Sequence, residues 1–192
     1  MRDWRALREL YRPGQGEKID LGLYYRGCYY RDHPREASVS EALYRMHALQ
    51  HMAAMLPCVI RDDDELAGEP TFLLHALPTD ISEDEYRQAL TAHAEHPNRD
   101  FRRGGNHVVI DFPGVLAAGF AGYRRRVESE RRRERPSSEK DYLTAMLAGL
   151  DAVETFFQRH ASAAREAGRA DLAERLDWLS SRPPRNMHDA MQ

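Results

Sequence analysis

The sequence predicts a mainly α-helical protein with one or two short strands. In several separate segments apolar residues recur at helical spacing, the pattern of helices that bury one face. Ser or Asp residues stand at the starts of most of these segments, where a side-chain oxygen can cap the first backbone N–H groups. Only two apolar runs, residues 58–60 and 107–110, have the length and composition of strands.

The composition limits the size of the core and the kind of partner. The chain has 192 residues, of which 42% are hydrophobic and 31% charged, so we expect one modest core under a large polar surface. The formal net charge is −3 and the pI is near 6.3. Because neither sign of charge is in excess, neither nucleic acid nor an anionic membrane surface is expected as a partner.

Cysteine usage and the N-terminus favour the cytoplasm. Cys28 and Cys58 are too few for a disulfide scaffold and match no zinc pattern, so reduced thiols are expected. The charged N-terminus is not followed by an apolar run of signal-peptide length. The longest apolar stretch, residues 115–120, is too short to cross a bilayer.

Residues 1–39 are predicted to be an N-terminal arm, and residues 40–192 a helical domain. A short docking helix is expected within residues 1–12, where Trp4, Leu7, Leu10 and Tyr11 share one helical face. Residues 13–37 are rich in Gly, Tyr and Arg and follow neither a helical nor a strand period. We expect an ordered loop there.

Two capped helices are predicted in the first part of the domain. One begins after Ser40, carries apolar residues at helical spacing and ends at Pro57. The other spans about residues 83–95 and begins with a capping box formed by Ser82 and Glu85. Between them lie the predicted strand 58–60 and an acidic turn, residues 61–65.

Three further helices are predicted in the second part. Asp111 is the expected N-cap of the first, in which small residues between 117 and 122 allow a neighbour to approach closely. Ser137 or Ser138 is expected to cap a long helix with an apolar stripe, and a shorter helix follows the break at Gly168. The Arg/Glu stretch 124–135 has interleaved charges and predicts a solvated helix face.

Few residues have the spacing of a reactive site. His47 and His51 have the i, i+4 spacing of paired metal ligands, but without a third ligand in view we favour packing on a helix. Residues 62–65 favour an acidic turn over a cation site, because adjacent carboxylates point in different directions. Cys58, between Pro57 and an apolar pair, predicts a buried structural thiol.

His107 is the most interesting titratable group. It follows Gly104, Gly105 and Asn106, which let the backbone approach a ligand, and it lies at a predicted strand-to-helix corner. A histidine that donates to Asp111 within a helix cap would account for the same residues. Because no phosphate-binding loop, dinucleotide motif or nucleophile elbow is present, spacing alone names no reaction.

Three segments, taken in order, resemble one family. Residues 56–68 read LPCVIRDDDELAG and are similar to the I-x-x-D-E-L-I-V-G segment near the start of glycyl radical enzymes of the pyruvate formate-lyase and glycerol dehydratase superfamily. Residues 105–112 read GNHVVIDF and resemble that family's G-x-G-H-x-x-x-D-Y corner. Residues 142–159 and 182–192 resemble its F-Y-x-A helix and its P-P-x-x-F-x-E-A-L-Q helix start.

The resemblance implies a fold and a role for the chain. The family fold is an α/β barrel of ten strands wrapped in helices, and this sequence resembles its helical N-terminal region. Cys28 and Cys58 match neither the thiyl cysteine loop nor the glycyl radical loop, so the chain is expected to be a truncated or split portion that is inactive alone. The corner histidine, which binds substrate oxygen in the dehydratases, matches His107.

The resemblance also implies cofactors and partners. The complete enzyme would use a protein glycyl radical installed by a radical SAM activase, in the lyase, dehydratase or acyltransferase chemistry of anaerobic metabolism. No cofactor, metal or catalytic residue is expected within this chain. The expected partners are the remaining chain of the enzyme or a second copy, with a small oxygenated substrate once the enzyme is complete.

Two other classes of protein also remain possible for this sequence. A stand-alone helical interaction module could have kept the family's helices and bind a partner through the exposed side of helix 138–166. A metal-binding helical protein using His47 and His51 is the third possibility.

Overall fold

The computed structural model describes residues 19–62, 64–68, 73–74, 77–96 and 111–192 and confirms a mainly helical fold. The elements of this part of the chain are β1 (Ile19–Asp20), α1 (Leu21–Asp32), α2 (Glu41–Met55), β2 (Leu73–Leu74), α3 (Glu83–Glu95), α4 (Phe112–Arg131), α5 (Ser137–Glu166), α6 (Ala170–Leu179) and α7 (Met187–Met191). None of these described helices is long and apolar enough to cross a membrane.

The strands form a minimal antiparallel sheet. Ile19 lies opposite Leu74, and Asp20 opposite Leu73. Asp20 also starts α1, because its Oδ1 accepts a hydrogen bond from the N–H of Leu23 at 2.9 Å. The sheet therefore fixes the point at which the first described helix begins.

Helix α1 contradicts the loop expected over residues 13–37. The helix has no single apolar stripe because it contacts both α2 and α3, and its tyrosines point to several sides. Gly27 allows the closest approach: a Cβ there would lie 2.0 Å from the carbonyl oxygen of Ala89 in α3. The helix predicted within residues 1–12 lies outside the described residues.

Helices α2 and α5 form the most extensive helix pair. The predicted start of α2 is confirmed, since Ser40 Oγ accepts from the N–H of Leu43 at 3.3 Å. Its end is stabilised by Arg159 of α5, which donates to the carbonyl oxygens of Ala53 and Leu56, both at 2.7 Å. These bonds satisfy carbonyls that a helix C-terminus otherwise leaves without a partner.

Most other predicted helix starts are confirmed. Ser82 and Glu85 form the capping box of α3, and Asp111 caps α4. Helix α5 begins at Ser137, but Pro136 occupies the N-cap position without a side-chain hydrogen bond, so the predicted serine cap is wrong. Gly168, with φ +73°, separates α5 from α6 as expected.

The predicted strand at residues 58–60 is wrong. These residues are not in a strand, and the described residues that follow them, 61–62 and 64–68, belong to neither a helix nor a strand. The acidic turn within it is confirmed, because the Asp64 carboxylate accepts from the N–H of Arg61 at 2.8 Å. The other predicted strand, residues 107–110, lies outside the described residues.

Small apolar clusters, each between two or three elements, make up the described core. One joins α5 to α6, another joins the start of α1 to the end of α2, and a third lies between α1 and α2. Their fully buried members include Leu21, Leu172 and Leu176. This division agrees with the modest core expected from the composition.

Candidate functional site

The start of α4 is the described part of the corner that sequence reasoning selected. Asp111 Oδ1 accepts from the N–H of Gly114 at 3.1 Å, and its Oδ2 accepts from the hydroxyl of Tyr123. These hydrogen bonds, chiefly that from Tyr123, hold the pKa of Asp111 below its usual range. Both carboxylate oxygens thus serve the helix itself, as the predicted cap role requires. His107 lies outside the described residues and stays a prediction.

Helix α4 bends at Gly119, one of the small residues predicted to admit a close neighbour. Its φ of +62° and ψ of 178° are not helical, and the conformation is almost exclusive to glycine. A Cβ at this position would lie 2.4 Å from the carbonyl carbon of Arg182 and 2.5 Å from the nitrogen of Pro183. The N–H of Ala121 donates to the carbonyl oxygen of Ser181 at 2.7 Å. The kink therefore joins α4 to the segment that follows α6.

That segment is ordered around Trp178. The guanidinium carbons of Arg182 and Arg185 lie 4.5 and 4.9 Å from the centroid of the Trp178 ring. The indole N–H donates to the carbonyl oxygen of Pro183 at 2.7 Å. These contacts hold the two prolines of the family-like motif in one conformation next to α4.

Asp189 is a buried carboxylate at the start of α7. It accepts from the backbone N–H of Arg185 at 3.0 Å and from its Nε at 2.8 Å, and Arg175 Nε lies 3.5 Å from its other oxygen. The hydrogen bond from the Arg185 side chain is the main reason that the pKa of Asp189 is lowered. The carboxylate is satisfied structurally and offers no free base.

Side chains of the C-terminal helices hold the irregular segment 58–68. Arg175 donates to the carbonyl oxygen of Glu65 at 2.7 Å, and Arg169 donates to that of Asp62 at 3.0 Å. Gln192 accepts from the N–H of Ala67 at 2.9 Å and donates to its carbonyl oxygen at 2.8 Å. Sequence reasoning missed this arrangement, because contacts from a side chain to a distant backbone leave no periodic signal.

A comparison with known protein families identifies the family of the chain. A family model described as "Pyruvate formate lyase-like" matches residues 74–192, more than half of the chain. The chain belongs to this family. No curated protein matches the sequence of this pyruvate formate lyase-like chain.

Two solved structures share the fold of the pyruvate formate lyase-like chain. The glycerol-bound B12-independent glycerol dehydratase from Clostridium butyricum matches with a TM-score of 0.69 and 18% identity, over 91% of this chain and 30% of that one. A structure from Roseburia inulinivorans, described in terms of 1,2-propanediol dehydration, matches with a TM-score of 0.73 and 18% identity, over 98% of this chain and 32% of that one. The chain spans about a third of either structure's length.

Cys58 and His160 of the pyruvate formate lyase-like chain are in contact. Cys58 Sγ lies 3.5 Å from His160 Nδ1, but the same Nδ1 lies 2.9 Å from the carbonyl oxygen of Phe156. A carbonyl can only accept, so Nδ1 carries the hydrogen and cannot take a proton from the thiol. Burial raises the pKa of Cys58 and lowers that of His160, which favours a neutral pair. Cys58 is half-buried and is not an activated nucleophile.

His47 and His51 lie beside an aromatic ring of this family member. Their imidazole centroids are 6.5 and 5.9 Å from that of Tyr29 in α1, as the packing interpretation predicts. Among the described residues, no group of three His, Cys, Asp or Glu side chains is placed to hold a metal ion. His96, at the end of α3, stacks on Tyr30 at 4.2 Å and extends this layer of rings.

Proposed function

We propose that this chain forms the helical N-terminal portion of a cytoplasmic, pyruvate formate-lyase-like glycyl radical enzyme and helps to wall its substrate cavity. The observation that carries the proposal is the family match over residues 74–192, together with a fold shared over nearly the whole chain with two structures about three times its length. A portion of this size supplies walls and supports rather than a complete active site.

The proposal includes a division of labour, in which the radical chemistry belongs to the rest of the complete enzyme and not to this chain. Neither Cys28 nor Cys58 lies in a motif like the family's thiyl loop, and burial raises the pKa of both thiols. The glycyl radical of the complete enzyme, installed by a radical SAM activase, would supply hydrogen-atom abstraction. These 192 residues alone are expected to be inactive.

We propose that His107 is the residue of this chain that binds the substrate. An imidazole can donate to or accept from a hydroxyl or carbonyl oxygen near neutral pH, which suits the orientation of a small oxygenated molecule. Asp111, four positions further along the chain, already has two cap partners, Gly114 and Tyr123, which supports a role for His107 outside the helix cap.

Two experiments test the proposal. The purified 192-residue protein, incubated without oxygen with glycerol or 1,2-propanediol, is expected to consume neither; turnover by this chain alone would contradict the division of labour. Anoxic native purification followed by mass spectrometry is expected to find these residues together with a barrel portion. Electron paramagnetic resonance of that material is expected to show a glycyl radical after activation.

The alternative is a stand-alone interaction module. Tyr142 and Met146 are one helical turn apart on α5 and are 61% and 37% exposed, a surface that a barrel or a separate partner could cover. Recovery of the native chain as a stable monomer, without a barrel portion, would favour this alternative and contradict the leading proposal.

A further inference from the structure

A groove between α2 and α5 has apolar walls and a cation that has no counter-ion among the described residues. Its volume is about 440 Å³, within the range of about 300–1,000 Å³ typical of small-molecule sites. The lining residues are all described: Arg26 from α1, Ala42, Arg45, Met46 and Leu49 from α2, and Tyr142, Ala145 and Met146 from α5.

Arg26 is the unusual member of this lining. Its Nε is buried without a hydrogen-bond partner, and within the described part of the chain its guanidinium forms no ion pair. A buried donor without a partner is costly, and the cost is greater for a charged group. The Arg26 side chain as a whole is only partly buried, so its outer nitrogens, rather than Nε, are the donors that a ligand in the groove would contact.

The other cation of the lining, Arg45, shares its counter-ion Glu41 with Arg35, whose Nε lies 3.3 Å from that carboxylate. Arg45 Nε lies 3.0 Å from the carboxylate of Glu41, and none of the lining residues is acidic. The groove therefore has a positive end and no acidic lining residue to balance it. This charge matches an anionic head group, and the two oxygens of a carboxylate fit the guanidinium fork.

The apolar walls indicate the rest of the ligand. Met46, Leu49 and Met146 line the groove, and methionine side chains adapt to unbranched aliphatic chains. We propose that the groove binds a small carboxylate with an aliphatic tail, of the medium-chain fatty acid type, with the carboxylate on Arg26. The proposal concerns this groove alone and does not depend on His107 or on the radical chemistry.

Calorimetric titration of the purified 192-residue protein with three probes tests the ligand chemistry. Octanoate has both features, octanol has the tail alone and acetate has the carboxylate alone. Octanoate is expected to bind at least about tenfold more tightly than either of the others, the ratio expected for one charge-assisted hydrogen bond. Equal affinity for octanol, or no heat with octanoate, would overturn the proposal.

Substitutions test the position of the carboxylate. Arg26→Met should weaken octanoate binding at least about tenfold, whereas Arg125→Met, which removes an exposed arginine of α4, should leave it unchanged. Met146→Glu places a competing carboxylate in the groove from an exposed position and should also abolish binding. Circular dichroism checks that each variant is folded.

Unchanged binding in both folded groove variants would refute the site. If Arg26→Met does not fold, Met146→Glu alone decides. Binding of an acidic peptide in place of octanoate would assign the groove to a protein partner and overturn the proposal. Because the titration needs neither a barrel nor a radical, its failure is distinguishable from failure of the proposed enzyme function.

Discussion

Replacing Gly119 with alanine should destabilise the protein more than any other single methyl addition at a positive-φ glycine in the described chain. A side chain at φ +62° and ψ 178° costs about 1–3 kcal/mol in backbone strain. The new Cβ would also lie within 2.8 Å of three backbone atoms of residues 181–183, and displacing a packed segment costs a further 1–3 kcal/mol or so.

The two contributions give a loss of roughly 2–6 kcal/mol in the free energy of unfolding. For a chain of this length that corresponds to a fall of about 4–24 °C in Tm. Urea denaturation followed by circular dichroism measures the change. Gly168→Ala is the matched control, because Gly168 also has a positive φ, +73°, but its Cβ would meet no atom within 4 Å.

The comparison of these two variants separates the cost of backbone strain from the cost of contact with residues 181–183. Gly168→Ala should cost only about 1–2 kcal/mol, the penalty of a left-handed residue. If Gly119→Ala lowers stability no more than Gly168→Ala, the segment after α6 does not pack against the kink as described. The link between α4 and the Arg182–Pro183 backbone would then be refuted.

Three other substitutions test the long-range contacts. Arg159→Met should lower the unfolding free energy by about 1.5–3 kcal/mol in urea denaturation, because it removes the donor to the carbonyl oxygens of Ala53 and Leu56; a loss below about 0.5 kcal/mol would contradict the cap. Asp189→Asn should cost a similar amount at neutral pH. Because the pKa of folded Asp189 lies below the usual 3.8, its contribution is present above that pH and is lost as the pH falls through the folded value, so the variant should show a weaker acid dependence. Burial lowers the pKa of His96 from 6.5, so the unfolded chain takes up the proton first and stability should fall as the pH drops below about 6.5. His96→Gln should reduce that fall in a Tm series from about pH 7 to pH 5, and an unaltered slope would exclude His96 as its source.

Helices with a local signal could be predicted from the sequence. Ser40, Ser82 and Asp111 each cap a described helix, because a capping oxygen needs only neighbours two or three residues ahead. Gly168 likewise ends α5 through its own backbone conformation. Such features depend on short stretches of chain, so they can be predicted without knowledge of the tertiary fold.

Features that depend on distant residues could not be predicted. Helix α1 has no apolar period, because Gly27 packs on the backbone of α3 while its tyrosines contact other elements. Residues 58–60 have strand composition, yet the segment that begins there packs against α5, α6 and α7 through side chains such as Arg169 and Gln192. Neither arrangement has a signature within its own segment.

Part of the candidate site could likewise be predicted from the sequence, and part could not. The cap role of Asp111 follows from its position before Phe112 and Pro113, and the structure confirms it. The unpartnered Arg26 in the groove could not be found from sequence, because it depends on α1, α2 and α5 lying together. The substrate role of His107 stays a prediction based on the family resemblance.

The irregular segment 58–68 has a consequence for the order of folding during synthesis. Its bond from Ala67 to Gln192 spans 125 positions, a distance that takes a ribosome roughly 6–25 s to translate at about 5–20 residues per second. Until Gln192 is made, the N–H and carbonyl groups of Ala67 lack the side-chain partner that they have in the folded protein, although all residues of α2 are already present. The side-chain contacts that fix this segment can therefore form only after residues more than a hundred positions further along the chain have been synthesised.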